Sequence, residues 1–480
     1  MSSTKPVLLG IGLYFFIRLF SFYSLPFPIA QTFITIFLIL AFVVISIKNP
    51  FAAWVILIAE FLLDGNGHFF ELFGLALRTW FVYAFLMVWL IHTLRQHKLT
   101  EVIKLPKPLL IILAALDTAF CIGLINGVFH EHPIRNILQD FIPYTFLLLI
   151  FPAKQYLNKF LSRPIAQSIL TAYLIGSACF SIFTLALFST GTAVLHGPYY
   201  KWFRDVAGGK ITDVGNHFFR IVLPEHLLLV PILLILFFFI VNDRKQRRAW
   251  LLVGIGFIPL AMSVSRTYVI ALVIGMLCLY SKKYWRQLAN TTCIATITFI
   301  AIFSTIHFIA SRGASFGWEL YGARFAGVVQ PSHEVSSASR KALLTPIFEK
   351  IKDHPIIGSG LGERLTFIDP ETQQPITTSQ FDWGYLEIWT ELGLIGLMAT
   401  VSLIAYLFRE AKLSAINHRP RAGSRTLRDY PLSAPLVAFA FMQITTQAIF
   451  HVFGILFLIF AINQVWETTL KENQQTPLIV

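Results

Sequence analysis

The chain alternates long apolar runs with short polar breaks, and the runs have the length of membrane helices rather than of strands. About fourteen apolar segments stand out, over 7–25, 29–47, 51–64, 75–94, 108–126, 139–152, 166–188, 226–242, 249–263, 267–281, 289–309, 384–408, 432–449 and 453–467. Several fall short of the roughly 20 residues that a straight crossing needs. The pairs 249–281 and 432–467 read either as two spans each or as one broken hairpin. The pattern therefore predicts an all-α, polytopic integral membrane protein of roughly twelve to fourteen transmembrane helices, with short helices in one large loop. Four parts follow from it: a bundle over 1–188, a second bundle with the first outer loop over 189–309, a large outer loop over 310–383, and closing helices with a tail over 384–480. The sequence shows no internal repeat and no low-complexity tract.

One polar island breaks the apolar rhythm, from Ser336 to Leu397. Ser336 or Ser337 can cap a helix there, and Leu343, Leu344, Ile347 and Ile351 recur at helical spacing. The spacing predicts an amphipathic helix over 338–352, with Leu343, Ile347 and Ile351 turned toward the bundle and a kink at Pro346. His354-Pro355 stops it, because the residue before a proline avoids the α region. Gly358, Gly360 and Gly362 then suit a tight backbone passage. A new helix begins near Asp382 and runs into a span.

Composition changes this picture little. Of 480 residues, 56% are hydrophobic and 13% charged; a soluble domain carries about 25% charged residues. The 46 phenylalanines suit a lipid-facing surface. The net charge of +13 would suggest nucleic acid in a soluble protein; in a membrane protein, Lys and Arg load the cytoplasmic loops, and no nucleic-acid partner is expected. Cys121, Cys179, Cys278 and Cys293 all lie in apolar stretches, which argues against a disulfide framework or a zinc site. The first apolar run follows Lys5, contains Arg18 and lacks a small-x-small cleavage site, so it reads as a retained span.

Charge fixes orientation. With a cytoplasmic N-terminus, the inner loops carry Lys48, Arg95, Lys98, Lys104, Lys107, Lys154, Lys159, Arg163, the 244–248 and 282–286 clusters and the basic 409–431 segment. The outer loop 64–74 has Asp64 and Glu71 but no Lys or Arg. Both termini are then cytoplasmic. The long outer loops 189–225 and 310–383 carry arginines, which long loops tolerate, and those arginines need a separate reason.

Three arginines at the outer surface suggest chemistry. Arg266, in SVSRTYVIAL, lies at the outer junction of two short spans, and Arg220, in NHFFRIVLPEHLLL, just precedes a span. Arg340 is on the loop helix. Interfacial anchoring explains the first two and a solvated helix face the third; together they would make a cationic cluster for a lipid diphosphate, since guanidinium binds phosphate with two prongs at any working pH. Asp382 is a candidate general base and a candidate helix cap. His354 is a further catalytic candidate, though its place before Pro355 points to shaping the turn; His333 and Glu334 are spare bases. The GSGLG run follows a helix rather than a strand, which excludes a nucleotide loop. Inside the spans, Arg78 suits a structural pair with Glu60 or Glu71, while Arg18 and Asp117 suit a cavity lining.

At these residues the chain resembles a family. HPIIGSGLG followed by DWGYLEIWTELGLIGL, SVSRTYVIAL, and the arginine-bearing helix before His-Pro are similar to the signature regions of the O-antigen ligase and O-antigen/exopolysaccharide polymerase superfamily. The likeness covers roughly residues 210–400. It implies an inverting, metal-independent glycosyltransferase without cofactors, in the bacterial inner membrane. Such an enzyme moves a glycan from undecaprenyl diphosphate to another lipid-linked glycan (polymerase) or to lipid A-core (ligase) on the periplasmic face. The bilayer and polysaccharide-assembly proteins are its implied surroundings. By matching position, Arg220, Arg266 and Arg340 would hold the diphosphate, with no metal site. Ligases of the family usually show His-Asn-x-x-Leu where this chain has Asp382-Trp383-Gly384-Tyr385-Leu386, and Asp-x-x-Tyr-Leu looks more like the polymerase branch. A small-solute transporter is the alternative of another class.

Overall fold

A computed structural model of the protein describes residues 4–64, 68–97, 103–242, 246–280, 284–329, 335–370, 372–417 and 432–475. Their helices are α1 (Thr4–Ser24), α2 (Pro28–Lys48), α3 (Pro50–Leu63), α4 (Leu77–Arg95), α5 (Lys107–Phe129), α6 (Ile134–Thr145), α7 (Ile150–Leu161), α8 (Pro164–Ser189), α9 (Pro198–Asp205), α10 (Leu229–Asn242), α11 (Arg247–Ser263), α12 (Arg266–Cys278), α13 (Trp285–Ala310), α14 (Trp318–Val329), α15 (Val335–Asp353), α16 (Gly384–Asn417), α17 (Ser433–Met442) and α18 (Val452–Gln475). Three antiparallel hairpins decorate them: β1 (Glu71–Leu72) with β2 (Leu75–Ala76), β3 (Lys210–Asp213) with β4 (Phe219–Val222), and β5 (Leu365–Ile368) with β6 (Pro375–Thr378). The apolar runs did not announce these hairpins. His333, Glu334 and the basic residues of 418–431 lie outside the described residues.

The protein is an all-α polytopic membrane protein. Nine of the described helical segments are long and apolar enough to cross a membrane, and Pro50–Leu63, Arg266–Cys278, Ser433–Met442 and Val452–Glu467 are shorter apolar helices. Lipid is the solvent of the outer surface. On α2, Phe33, Phe37, Leu40, Val44 and Ile47 form an exposed stripe at helical spacing, which water would not tolerate on this scale. The four cysteines are free and likewise exposed.

Both ambiguous pairs resolve into separate helices. α11 and α12 are separated by a turn at Val264 and Ser265. α17 has 10 residues, a rise of ~15 Å, about half of the ~30 Å hydrocarbon core. The irregular stretch 443–451 that follows is tolerated at such depth only because protein surrounds it: Gln443, Ala448, Ile449 and Phe450 are buried, and the Gln443 amide oxygen accepts the Ile449 N–H at 3.1 Å.

Two ion pairs lock the N-terminal helices. Arg78 Nε donates to both Glu60 oxygens, at 2.8 and 3.2 Å, which selects Glu60 over Glu71. Arg18 is fully buried in the second pair. Its guanidinium reaches Glu225 Oε1 at 2.7 Å and the Leu63 carbonyl at 2.5 Å, and Tyr14 donates to the same carboxylate oxygen at 2.8 Å. This pair was not legible in the sequence, because Arg18 and Glu225 are 207 residues apart and only the packed fold joins them. Asp117 is exposed and accepts from the Tyr144 hydroxyl at 3.5 Å.

The glycine-rich strap 355–362 is a clamp. α16 breaks at Gly393, where φ is 68° and ψ −172°. The break leaves carbonyls unpaired, and the strap satisfies them: Ser359 N–H donates to the Thr390 carbonyl at 2.8 Å and Gly360 N–H to the Glu391 carbonyl at 3.1 Å. On its other side, Leu361 N–H donates to the Gly123 carbonyl of α5 at 2.9 Å. A Cβ on Gly358 would stand 2.3 Å from the Glu391 carbonyl oxygen, and one on Gly360 2.2 Å from the Gly127 nitrogen. Both glycines also have positive φ, so the passage demands glycine on two independent counts.

Candidate functional site

The loop helix α15 carries the apolar face that its spacing predicted. Leu343, Ile347 and Ile351 are buried with Leu365 and Phe381, and Phe367, Trp383, Leu386 and Trp389 pack against them. This is a small second core, outside the main one. Each buried Leu or Ile contributes about 1.5–3 kcal/mol, enough to seat the helix against the start of α16. That seating brings two charged side chains together: Arg340 Nε lies 3.3 Å from Asp382 Oδ2. The Trp383 indole N–H donates to the Arg340 carbonyl at 3.0 Å and ties the same two elements.

Asp382 is not the helix cap. α16 starts at Gly384, and Asp382 sits two residues earlier with φ 56°. Aspartate tolerates this left-handed backbone better than most residues. It turns the chain so that the carboxylate meets Arg340 instead of the first helical N–H groups.

Arg266 opens α12. Ser265 is the N-cap, and the preceding Val264 is left-handed at φ 42°, a strained conformation for a β-branched residue. Arg266 Nη1 donates to the Arg324 carbonyl at 2.6 Å, and Nη2 to Ser337 Oγ at 3.1 Å. Ser337 is therefore inside α15 rather than capping it, and it stands three residues before Arg340 on the same helical face. Arg220, on β4, donates from Nε to the Ser263 carbonyl at 2.7 Å, beside the same turn. Three arginines far apart in sequence are thus linked through one turn and one helix face.

His354 is placed elsewhere. It follows the last turn of α15, fourteen residues after Arg340, or ~20 Å along the axis. Its N–H donates to the Lys350 carbonyl, its carbonyl accepts from Gly358, and its ring lies 5.2 Å from that of His130. It ends the helix and starts the strap.

The structure adds residues that the sequence did not single out. Thr267 and Thr445 hydroxyls are 2.7 Å apart, joining the Arg266 turn to the break between α17 and α18. Gly384 packs on that break so closely that a Cβ would lie 2.4 Å from the Gln443 and Thr446 carbonyl oxygens. Glu387 and Glu391, one turn apart on α16, are fully buried. The only signal for these two was a pair of acids in an otherwise apolar span. Among the described residues, no group of three or more His, Cys, Asp or Glu side chains has a geometry that could hold a metal ion.

No curated protein and no solved structure matches the chain. Residues 251–401 match the family model described as O-antigen ligase. The match holds Arg266, Arg340, His354 and Asp382, and leaves Arg220 just outside. Residues 251–401 of this 480-residue membrane protein are thus similar to the O-antigen ligase family.

Proposed function

We propose that the protein is a polymerase of O-antigen or exopolysaccharide repeats, working at the periplasmic face of the bacterial inner membrane with both termini in the cytoplasm. Its donor is a glycan on undecaprenyl diphosphate, and its acceptor is a hydroxyl of a second lipid-linked glycan. The observation that carries this reading is the Arg340–Asp382 contact beside the Arg266–Ser337 bond. It sets a carboxylate able to take a proton next to guanidinium groups able to take a diphosphate.

In the proposed reaction Asp382 removes the acceptor proton as the hydroxyl oxygen attacks the anomeric carbon. The bond from that carbon to the diphosphate oxygen breaks with inversion, and both electrons leave with the diphosphate. Arg266, Arg220 and Arg340 stabilise the negative charge that grows there. Guanidinium suits the task because it is planar, always charged and bidentate. No divalent metal is required in this scheme. His354 acts through the strap and not on the substrate.

Ligase activity toward lipid A-core is the second reading, favoured by the description of the matching family model. The Asp382-Trp383-Gly384-Tyr385-Leu386 frame favours the polymerase. The deciding experiment uses the full chain in vesicles with lipid-linked glycan extracted from cells that lack the protein. A ladder of growing products from donor alone supports the polymerase. Product that forms only when lipid A-core is added supports the ligase, and solute uptake without transfer would revive the transporter.

A further inference from the structure

The hairpin β3–β4 carries more than Arg220. Its turn and the end of α13 enclose an open, polar cleft of about 490 Å³ that the reaction above does not use. Ligand sites commonly measure about 300–1,000 Å³. Asp213, Asn216, His217 and Phe219 line the hairpin wall, and Ser311, Arg312 and Ala314 line the wall that follows α13.

The two walls are held by bonds and ring contacts. Within the hairpin, Asp213 pairs in register with Phe219, and Thr212 with Arg220. Paired residues share a face and successive residues alternate between faces. Asp213 and Phe219 therefore face the cleft, while Arg220 turns to the opposite face and donates to the Ser263 carbonyl. The turn is closed by the Gly215 N–H on Asp213 Oδ1 at 2.9 Å and by the Phe218 N–H on the Gly215 carbonyl at 3.0 Å. Ser189, the last residue of α8, donates from Oγ to the His217 carbonyl at 2.8 Å. The Phe218 ring stacks on the His307 ring of α13, with centroids 4.7 Å apart, and so joins one wall to the other. On the far wall the buried Ser311 Oγ donates to the Ser315 carbonyl at 3.0 Å and accepts the Ser315 N–H at 3.2 Å, which fixes the turn that bears Arg312.

The groups left over suit a hydroxylated ring. Asp213 Oδ2, the Asn216 amide and the Arg312 guanidinium bond to none of the described residues. A carboxylate accepts, a guanidinium donates and an amide does both. Hydroxyl groups, which also do both, can be met from the two walls at once. The half-buried Phe219 ring offers an apolar face to ring C–H groups. The Asp213 charge disfavours a phosphate in the cleft, since like charges repel.

We propose that this cleft is a saccharide-binding subsite that grips a sugar unit of the glycan away from the reacting bond. The class of ligand follows from the cleft; the source of the glycan rests on the transferase reading above. Phe219 and Arg220 are consecutive residues on opposite faces of β4, so a glycan whose diphosphate lies at Arg220 reaches the cleft by crossing one two-stranded ribbon. A chain held there stays beside the site between transfers, at a high effective concentration, and the product grows longer.

The test uses the full chain and glycan freed from lipid and diphosphate by mild acid, prepared from lipid-linked donor of cells that lack the protein. Titration calorimetry in detergent reads binding. Wild type should bind the freed glycan, and Asp213→Asn and Arg312→Gln should each weaken binding about tenfold, as loss of a charged hydrogen bond does. Asp213→Asn retains an acceptor for the Gly215 N–H. Ala314→Trp fills the cleft without removing a bond and should abolish binding, which keeps the test open should a polar variant fold poorly. In vesicles these variants should leave the rate of the first transfer within about twofold and shorten the product ladder. Arg220→Ala should do the reverse, slowing transfer while the freed glycan binds as it does to wild type. A wild type that binds no freed glycan, or three cleft variants that bind it as tightly as wild type, overturns the subsite and leaves the transferase reading untouched. Binding lost equally in Arg220→Ala would put the glycan on the arginine side and overturn it too. Glycan bound through the cleft by a protein that transfers nothing overturns the transferase reading and leaves the subsite standing.

Discussion

Two sets of arginines show two uses of the same side chain. In the N-terminal bundle, the Arg18–Glu225 pair has side-chain exposures of 1% and 1%, and Arg78–Glu60 of 2% and 7%. Each guanidinium is sealed against a carboxylate and also lies on aromatic rings, Tyr14 for Arg18 and Phe61 for Arg78. On the loop side, Arg340 and Asp382 are 27% and 47% exposed and 3.3 Å apart. Arg266 and Arg220 donate, among their contacts, to backbone carbonyls and a serine hydroxyl, bonds that a phosphate oxygen can outcompete. A sealed pair holds helices together, because removing either partner strands a charge in a dry interior. Under the proposed function, the loop-side arginines exchange some of their bonds for the diphosphate. Position in a span does not separate the two; the partner and its exposure do.

The comparison can be broken from either side. Asp382→Asn should slow transfer by about 10²–10⁴ while donor binding stays near normal, as general-base loss does. The check is single-turnover transfer beside donor binding in the same vesicles; near-normal turnover would reduce Asp382 to a partner of Arg340. Glu225→Leu should act on the opposite quantity. It leaves Arg18 buried alone and should cost about 3–5 kcal/mol of stability, seen as less folded protein and a lower melting temperature in detergent, with transfer per folded molecule preserved. Equal losses at both sites in both assays would erase the distinction.

Smaller effects sharpen it. Gly358→Ala combines positive φ with a Cβ 2.3 Å from the Glu391 carbonyl oxygen. About 1–3 kcal/mol of backbone strain is expected, again in melting temperature, and with it a looser α16 break. Thr267→Val removes the hydroxyl pair with Thr445. The expected cost is about 1 kcal/mol, and it should raise donor KM slightly if that bond steadies the Arg266 turn.

The sequence carried the helices because lipid imposes a strong, repetitive signal. The segment 7–25 became Thr4–Ser24, 29–47 became Pro28–Lys48, and the loop helix over 338–352 extends over Val335–Asp353. The glycine passage was legible because Gly358, Gly360 and Gly362 are the residues that positive φ requires. The hairpin β3–β4 was not, since strands of four residues leave no period to read. The Arg266–Ser337 bond and the Glu387–Glu391 row were not legible either. The first joins residues 71 apart, and the second hides two acids in a run that reads as a span. Asp382 was read as both base and cap; only its backbone, turned left-handed two residues early, excludes the cap.

Arg266 tests the central claim most directly, that arginine serves the departing diphosphate without a metal. Transfer is measured for wild type, Arg266→Lys and Arg266→Ala, at equal folded amounts, with and without a divalent-metal chelator. The account predicts a wild type indifferent to chelator. It predicts an Arg266→Ala rate lower by the equivalent of about 3–4 kcal/mol, the typical loss of one preorganised donor. Arg266→Lys should stay badly impaired, because the ammonium lacks the two-pronged contact. A wild type stopped by chelator, or an Arg266→Ala protein that transfers normally, would contradict it.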